Sequence, residues 1–193
     1  MKIWTSETQF DGDRSAVALG TFDGLHIGHQ ALIRRAVSIA RDCGAMSVVS
    51  TFDGLPRAVL QPDQHIAQLL TLDEKIEKLA ALGVDAVVIA PFTREFARLS
   101  AADYLRDLVR NMRPVAIVAG FNYTFGAGGR GDADLIRDMA GALHYRAEIV
   151  APVMDAGESV SSTLIRRLIA EGDLQRAERL LRIENYGQSR KEA

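Results

Sequence analysis

Gly20-Thr21-Phe22-Asp23-Gly24-Leu25-His26-Ile27-Gly28-His29 stands directly after an apolar strand-like stretch, Ala16 to Leu19, and directly before a helix-like one, Gln30 to Arg41. Glycine lets a chain turn tightly and lets a ligand approach backbone with no side chain in the way. His26 and His29 then project from the turn where the helix begins. A helix start offers N–H groups without intrahelical acceptors and the positive end of a dipole, which suits phosphate. The expected guest is the triphosphate tail of a nucleotide. A metal centre is the competing reading of two nearby histidines. No third ligand follows at metal-site spacing: Cys43 stands alone and no glutamate lies beside either histidine. His65 and His144 are isolated and read as surface or turn residues.

Outward from this stretch, apolar runs rich in Val, Ile and Ala recur at Ala16 to Leu19, Met46 to Phe52, Ala86 to Ala90, Val115 to Ala119 and Ala147 to Val150. They do not alternate with polar residues, which fits strands covered on both faces of a parallel sheet. Helix patterns lie between them. Thr71 to Glu74 forms a capping box, with Leu72, Ile76, Leu79 and Leu82 expected on one face and Gly83 terminating. Ser100 caps a helix with Tyr104, Leu105, Leu108, Val109 and Met112 inward and Pro114 beyond its end. Asp132 to Leu143 reads as another. Near the C-terminus Leu164, Ile165, Leu168 and Ile169 stripe a helix stopped by Gly172. Asp173 starts the next, through Leu174, Ala177, Leu180 and Leu181. The order predicts a doubly wound α/β domain over residues 1–183: a mostly parallel sheet of about five strands with helices on both faces. Ligands of such sheets bind at the carboxyl ends of strands, where the His26/His29 turn falls. The polar tail from Glu184 to Ala193 is expected to fray.

The 193 residues suffice for one domain with a proper core, and 48% hydrophobic with 25% charged residues is ordinary for a globular protein. A formal net charge of −2 provides no basic field for nucleic acid. One cysteine excludes an internal disulfide and fits a reducing cytoplasm. The first residues hold no apolar core of signal-peptide length, and no apolar run approaches a membrane span. A cytoplasmic protein with no membrane partner is expected; oligomeric state is not legible.

A second phosphate signal lies far downstream, where Ser161-Ser162-Thr163-Leu164-Ile165-Arg166 opens a helix. Hydroxyls and N–H groups at a helix start donate to phosphate oxygens, and Arg166 is one turn further on. Alone, this is equally a Ser/Thr cap with a solvated arginine. Together, Gly-x-Phe-Asp-Gly-x-His-x-Gly-His and Ser-Ser-Thr-x-x-Arg resemble the HxGH nucleotidyltransferase superfamily. Within it the chain resembles the FAD synthetase (FMN adenylyltransferase) module of the bacterial bifunctional riboflavin kinase/FAD synthetases. Thr51 to Arg57, Pro91 to Ser100 and Gly120 to Asp132 carry the narrower likeness, which covers roughly Ser15 to Leu181.

The resemblance implies transfer of AMP from ATP to FMN, giving FAD and pyrophosphate, with Mg²⁺. It implies that His26 and His29 bind the triphosphate as donors, with Ser162, Thr163 and Arg166 on its far side. Asn122 is then expected at the reacting phosphates or the metal, the ion being held mainly by substrate phosphates. Gly20, Phe22, Gly24 and Gly28 are expected along the nucleotide. The flavin is expected near Phe52, Pro56, Phe96 and Tyr104, although Phe96 and Tyr104 equally suit core packing.

Three departures accompany the likeness. Leu55 stands where the family usually has the histidine of Pro-His-Pro, and Ser159 where it usually has an arginine. Arg57 or Arg130 are candidate substitutes, and Glu158 is unwelcoming to anions if it points inward. The chain also ends where relatives usually continue into a riboflavin kinase domain, so it is expected to obtain FMN from elsewhere. Two alternatives stay open: a transferase acting on another phosphorylated acceptor, and a catalytically impaired nucleotide- or flavin-binding module.

Overall fold

The structure is a computed structural model that describes residues 1–63 and 67–183. In chain order its elements are β1 (Lys2–Trp4), β2 (Ser15–Leu19), α1 (Ile27–Cys43), β3 (Met46–Phe52), α2 (Pro56–Leu60), α3 (Leu72–Ala81) and β4 (Ala86–Ala90). Then follow α4 (Ala101–Met112), β5 (Pro114–Gly120), α5 (Ala133–Leu143), β6 (Arg146–Val150), β7 (Met154–Asp155), β8 (Glu158–Ser159), α6 (Ser162–Glu171) and α7 (Leu174–Leu181). The five apolar runs are the five inner or late strands. Beyond them β1 pairs with β4 at the sheet edge, a three-residue strand too short and too polar to announce itself.

The main sheet has six strands in the order β1-β4-β3-β2-β5-β6, all parallel. β7 and β8 form a separate antiparallel ribbon. Successive residues of β2 serve opposite faces: Ala16 and Ala18 join the core under α1 and α3, Val17 and Leu19 the core under α4 and α5. Both faces are therefore covered, which is why β2 shows no polar alternation. A third cluster joins α6 to α7 through Leu164, Ile165, Leu168, Ala177 and Leu180, and Ile27 at the start of α1 packs against it.

Thr71 and Ser100 cap their helices as the sequence predicts, Thr71 and Glu74 close both halves of the capping box, and Asp132 and Ser161 cap α5 and α6. Three stripe positions do not go inward: Leu72, Ile169 and Leu174 are exposed. Leu72 and Leu174 are the first residues of their helices, and Ile169 lies in the last turn of α6, so all three overhang the core. His144 ends α5 in the left-handed conformation, and Cys43 is exposed at the end of α1. The expectations for His65 and for the tail 184–193 lie outside the described residues.

From β2, the chain winds through β3 to β4 on one side, then crosses to β5 and β6 on the other. The crevice where the order reverses lies at the carboxyl ends of β2 and β5, the usual ligand position in such sheets. Among the described residues, no helix is long and apolar enough to cross a membrane.

Candidate active site

Two adjoining cavities open at this crevice. The first, about 360 Å³, is walled by the turn after β2 (Gly20, His26, Gly28, His29), the segment after β5 (Gly120, Asn122), the end of β6 and the start of α6. The second, about 470 Å³, is lined by Phe52, Leu55, Pro56, Phe92, Phe96, Tyr104, Tyr123 and Phe125 among others. Both fall within the range of small-molecule sites, roughly 300–1,000 Å³. Thr21, Arg57, Tyr123, Thr124, Ser162 and Thr163 line both cavities and form the seam between them.

The polar cavity is built on a constrained turn. Phe22 and Leu25 adopt φ of +49° and +45°, a region that bulky residues rarely enter, and both are completely buried. Burial of the two side chains overcomes the backbone cost. Asp23 adds fixed polar contacts. One carboxylate oxygen accepts from the Leu69 N–H at 2.9 Å, and the other is ion-paired with Arg166. Ser162 donates its hydroxyl to the Asp23 carbonyl at 2.7 Å. Segments more than a hundred residues apart in sequence are thereby tied into one wall.

His26 is the N-cap of α1: its Nδ1 accepts from the His29 N–H at 3.3 Å. That bond places the neutral ring's proton on Nε2, leaving an N–H to donate. The His26 and His29 rings stack with centroids 3.7 Å apart and an interplanar angle of 20°. Burial pushes His26 down to about 4. Burial, then the neighbouring His26 and Lys75, hold His29 well below the usual imidazole range. Both rings are neutral near pH 7 and can offer N–H dipoles, not positive charge.

Beneath the turn lies a residue that hydrophobic patterning passed over. Lys75 of α3 is buried and donates to the carbonyls of Thr21 and Phe52, each at 3.1 Å. Burial lowers its pKa, while Asp23 and Asp53 oppose that shift. Its ammonium joins the turn after β2 to the end of β3, and so one cavity wall to the other.

Among the residues expected along the nucleotide, Gly20 and Gly28 line the polar cavity. Phe22 borders the polar cavity as well, its side chain wholly buried beneath the turn and edge-on to His29 at 5.3 Å between centroids. Gly24 lines neither cavity: at φ +86° a Cβ would sit 2.9 Å from Leu69, so it serves chain packing. Gly20 has a packing reason too, because a Cβ there would meet the Phe22 ring at 2.8 Å. Ser162 lines both cavities, its hydroxyl donated to the Asp23 carbonyl. The Thr163 hydroxyl has no protein partner among the described residues and is a free donor at the α6 start.

In the other cavity Phe52, Phe92 and Phe96 meet edge to face at 5.1 to 5.7 Å. Phe96 continues the chain to Tyr104 at 5.8 Å, and Tyr104 to Phe125 at 5.5 Å. Tyr104 thus packs in the core and lines the cavity at once. Tyr123 and Phe125, stacked at 5.5 Å, complete a wall that helical spacing alone did not indicate. Leu55 opens onto this cavity beside Pro56, whereas Ser159 and Arg130 line neither one. Glu158 does not face the anion site; it pairs with Arg167 and Arg176.

Among the described residues, no group of three or more His, Cys, Asp or Glu side chains is placed to hold a metal ion. Neutral oxygens of Asn122, Thr124 and Thr163 border the polar cavity. Such a donor set suits a hard cation carried in by phosphates better than a protein cage.

The FAD synthetase family model matches residues 9–164, which include β2 to β6, the histidine turn and the Ser162-Thr163 step. The chain belongs to the FAD synthetase family. A bifunctional riboflavin kinase/FMN adenylyltransferase of Listeria monocytogenes is 40% identical over 86% of this chain and 52% of its own length. A Geobacillus thermodenitrificans protein provisionally given the same bifunctional name is 37% identical over 94% of this chain and 97% of its own length. A Listeria monocytogenes FAD synthetase is 32% identical over 89% of this chain and 70% of itself. The chain thus spans about half the length of the first of these relatives. A Streptococcus pneumoniae crystal structure described as a macrolide-efflux protein superposes with a TM-score of 0.81 at 32% identity, over 93% of this chain and 59% of that one. A Francisella tularensis pantoate-beta-alanine ligase shares the fold alone, with a TM-score of 0.58 at 17% identity over 95% of this chain and 78% of that one. Of the two positions where the sequence departs from the family likeness, Leu55 borders the aromatic cavity and Ser159 lies outside both.

Proposed function

We propose that this chain is an FMN adenylyltransferase, joining the AMP portion of ATP to the phosphate of FMN to give FAD and pyrophosphate. The observation that carries the reading is the shared seam: an aromatic cavity and a phosphate-suited cavity meet at Thr21, Arg57, Thr124, Ser162 and Thr163. A flavin ring among Phe52, Phe96 and Tyr104 and a nucleotide against His26 and His29 would bring their phosphates together there.

An FMN phosphate oxygen attacks the α-phosphorus of ATP, a P–O bond forms, and the bond to the leaving pyrophosphate breaks. A phosphomonoester's second pKa is about 6, so the nucleophile is mostly dianionic at pH 7 and needs no general base. What remains is alignment of two polyanions and stabilisation of charge on the departing group. His26 and His29 supply neutral N–H donors, Thr163 a hydroxyl, and the start of α6 its free N–H groups. Asn122 is the side chain suited to touch a Mg²⁺ carried in on the phosphates, an ion that would offset part of their charge. The partners in this reading are ATP and FMN, in the cytoplasm.

The test is purified protein with ATP, Mg²⁺ and FMN, separated by chromatography. FAD and pyrophosphate are expected only when both substrates are present. ATP binding without FAD formation would overturn the assignment of FMN and favour another phosphorylated acceptor or a binding module.

A further inference from the structure

The charges lining the two cavities do not balance evenly. Arg57 and Arg166 are the arginines that border them, and Asp23 the carboxylate. Arg166 is ion-paired with Asp23 and donates to the Ala67 carbonyl at 3.0 Å, so its charge is largely compensated before any ligand arrives. His26 and His29 are held neutral by burial. The Lys75 ammonium is committed to two carbonyls beneath the turn. Arg57 differs from all of these. Its side chain is exposed, it borders both cavities, and its guanidinium makes no ion pair or hydrogen bond with the described residues. It belongs to α2, whose Pro56 and Leu60, with Leu55 just before the helix, border the aromatic cavity.

We propose that Arg57 is the cation that bridges the two substrates, one edge of its guanidinium on the acceptor's phosphate and the other on the departing pyrophosphate. This rests on the adenylyl-transfer reading above. A planar fork with five N–H donors can hold two phosphate groups at once, whereas an ammonium acts as a point charge. At a seam where both ligands are anionic, the uncompensated cation offsets their repulsion as they align. The same contact opposes charge building on the leaving group as the P–O bond breaks.

Arg57→Ala and Arg57→Lys are compared with wild type and with Arg130→Ala, an arginine outside both cavities. FAD formation is measured by steady-state kinetics, pyrophosphate binding by calorimetry and folding by thermal melts. Arg57→Ala is expected to melt like wild type, lose about 10²–10³ in turnover, and bind pyrophosphate at least about tenfold more weakly. Arg57→Lys is expected to recover part of the turnover, because charge returns without the fork. Wild-type turnover and pyrophosphate affinity in Arg57→Ala would overturn the proposal. An equal loss in Arg130→Ala would also overturn it, because general charge would then be the cause. If wild type makes no FAD, the transfer reading and the bridge fall together. The pyrophosphate titration then still decides whether Arg57 contacts anions.

Discussion

The stacked rings of His26 and His29 could not both carry charge at 3.7 Å, so in the proposed transfer they would meet a triphosphate as oriented N–H dipoles. His29→Ala removes such a donor while leaving its backbone N–H to cap against His26. Turnover is expected to fall about 10²–10³ with the melting temperature little changed, as checked by FAD-formation kinetics beside thermal melts. Thr163→Ala should behave in the same way, since that hydroxyl is free for substrate. Ser162→Ala should instead lower stability, because its hydroxyl bonds to the Asp23 carbonyl. Wild-type turnover in both His29→Ala and Thr163→Ala would remove them from the reaction.

At the scale of elements, helix starts were the most legible feature. Ser and Thr caps are local chemistry, and those read at Thr71 and Ser100 are present. The apolar stripes were less reliable at helix ends, as exposed Leu72, Ile169 and Leu174 show. α3 also holds what patterning could not find. Lys75 occupies the inward face with Leu79, tolerated there because two carbonyls receive its protons. Lys75→Met relieves the burial of a charge but leaves those carbonyls short of a donor. We expect a net loss of roughly 2 kcal/mol, measured by urea unfolding. FMN affinity should weaken as well, because the Phe52 end of β3 is no longer tied to the turn after β2. Unchanged unfolding would show that the carbonyls find other partners.

For the molecule as a whole, burial of the imidazoles couples the site to stability. His26 is lowered from 6.5 in the unfolded chain to about 4 in the folded one. Above pH 6.5 neither state is protonated there and stability is intact. Between 6.5 and 4 the unfolded chain takes up a proton that the folded one refuses, so stability falls as pH falls. At 1.36 kcal/mol per unit the loss from His26 alone is roughly 3 kcal/mol, and His29 shifts in the same direction. Urea unfolding from pH 7 to pH 4 should reveal it; a flat curve over that range would contradict the buried, neutral histidine pair.

Chain order and local chemistry determined the alternation of strands and helices, the caps, and the two phosphate-type motifs, because these depend on neighbours within a few residues. The edge strand β1 escaped because three residues of mixed polarity carry too little pattern. What only the tertiary structure decided is which groups are left free once the motifs meet. Asp23 takes Arg166 and Ser162, core packing takes Phe22 and Gly24, and Thr163 and Arg57 remain available at the seam. A hydrogen-bond donor or a charge can be committed by a partner more than a hundred residues away, and sequence spacing does not encode that commitment.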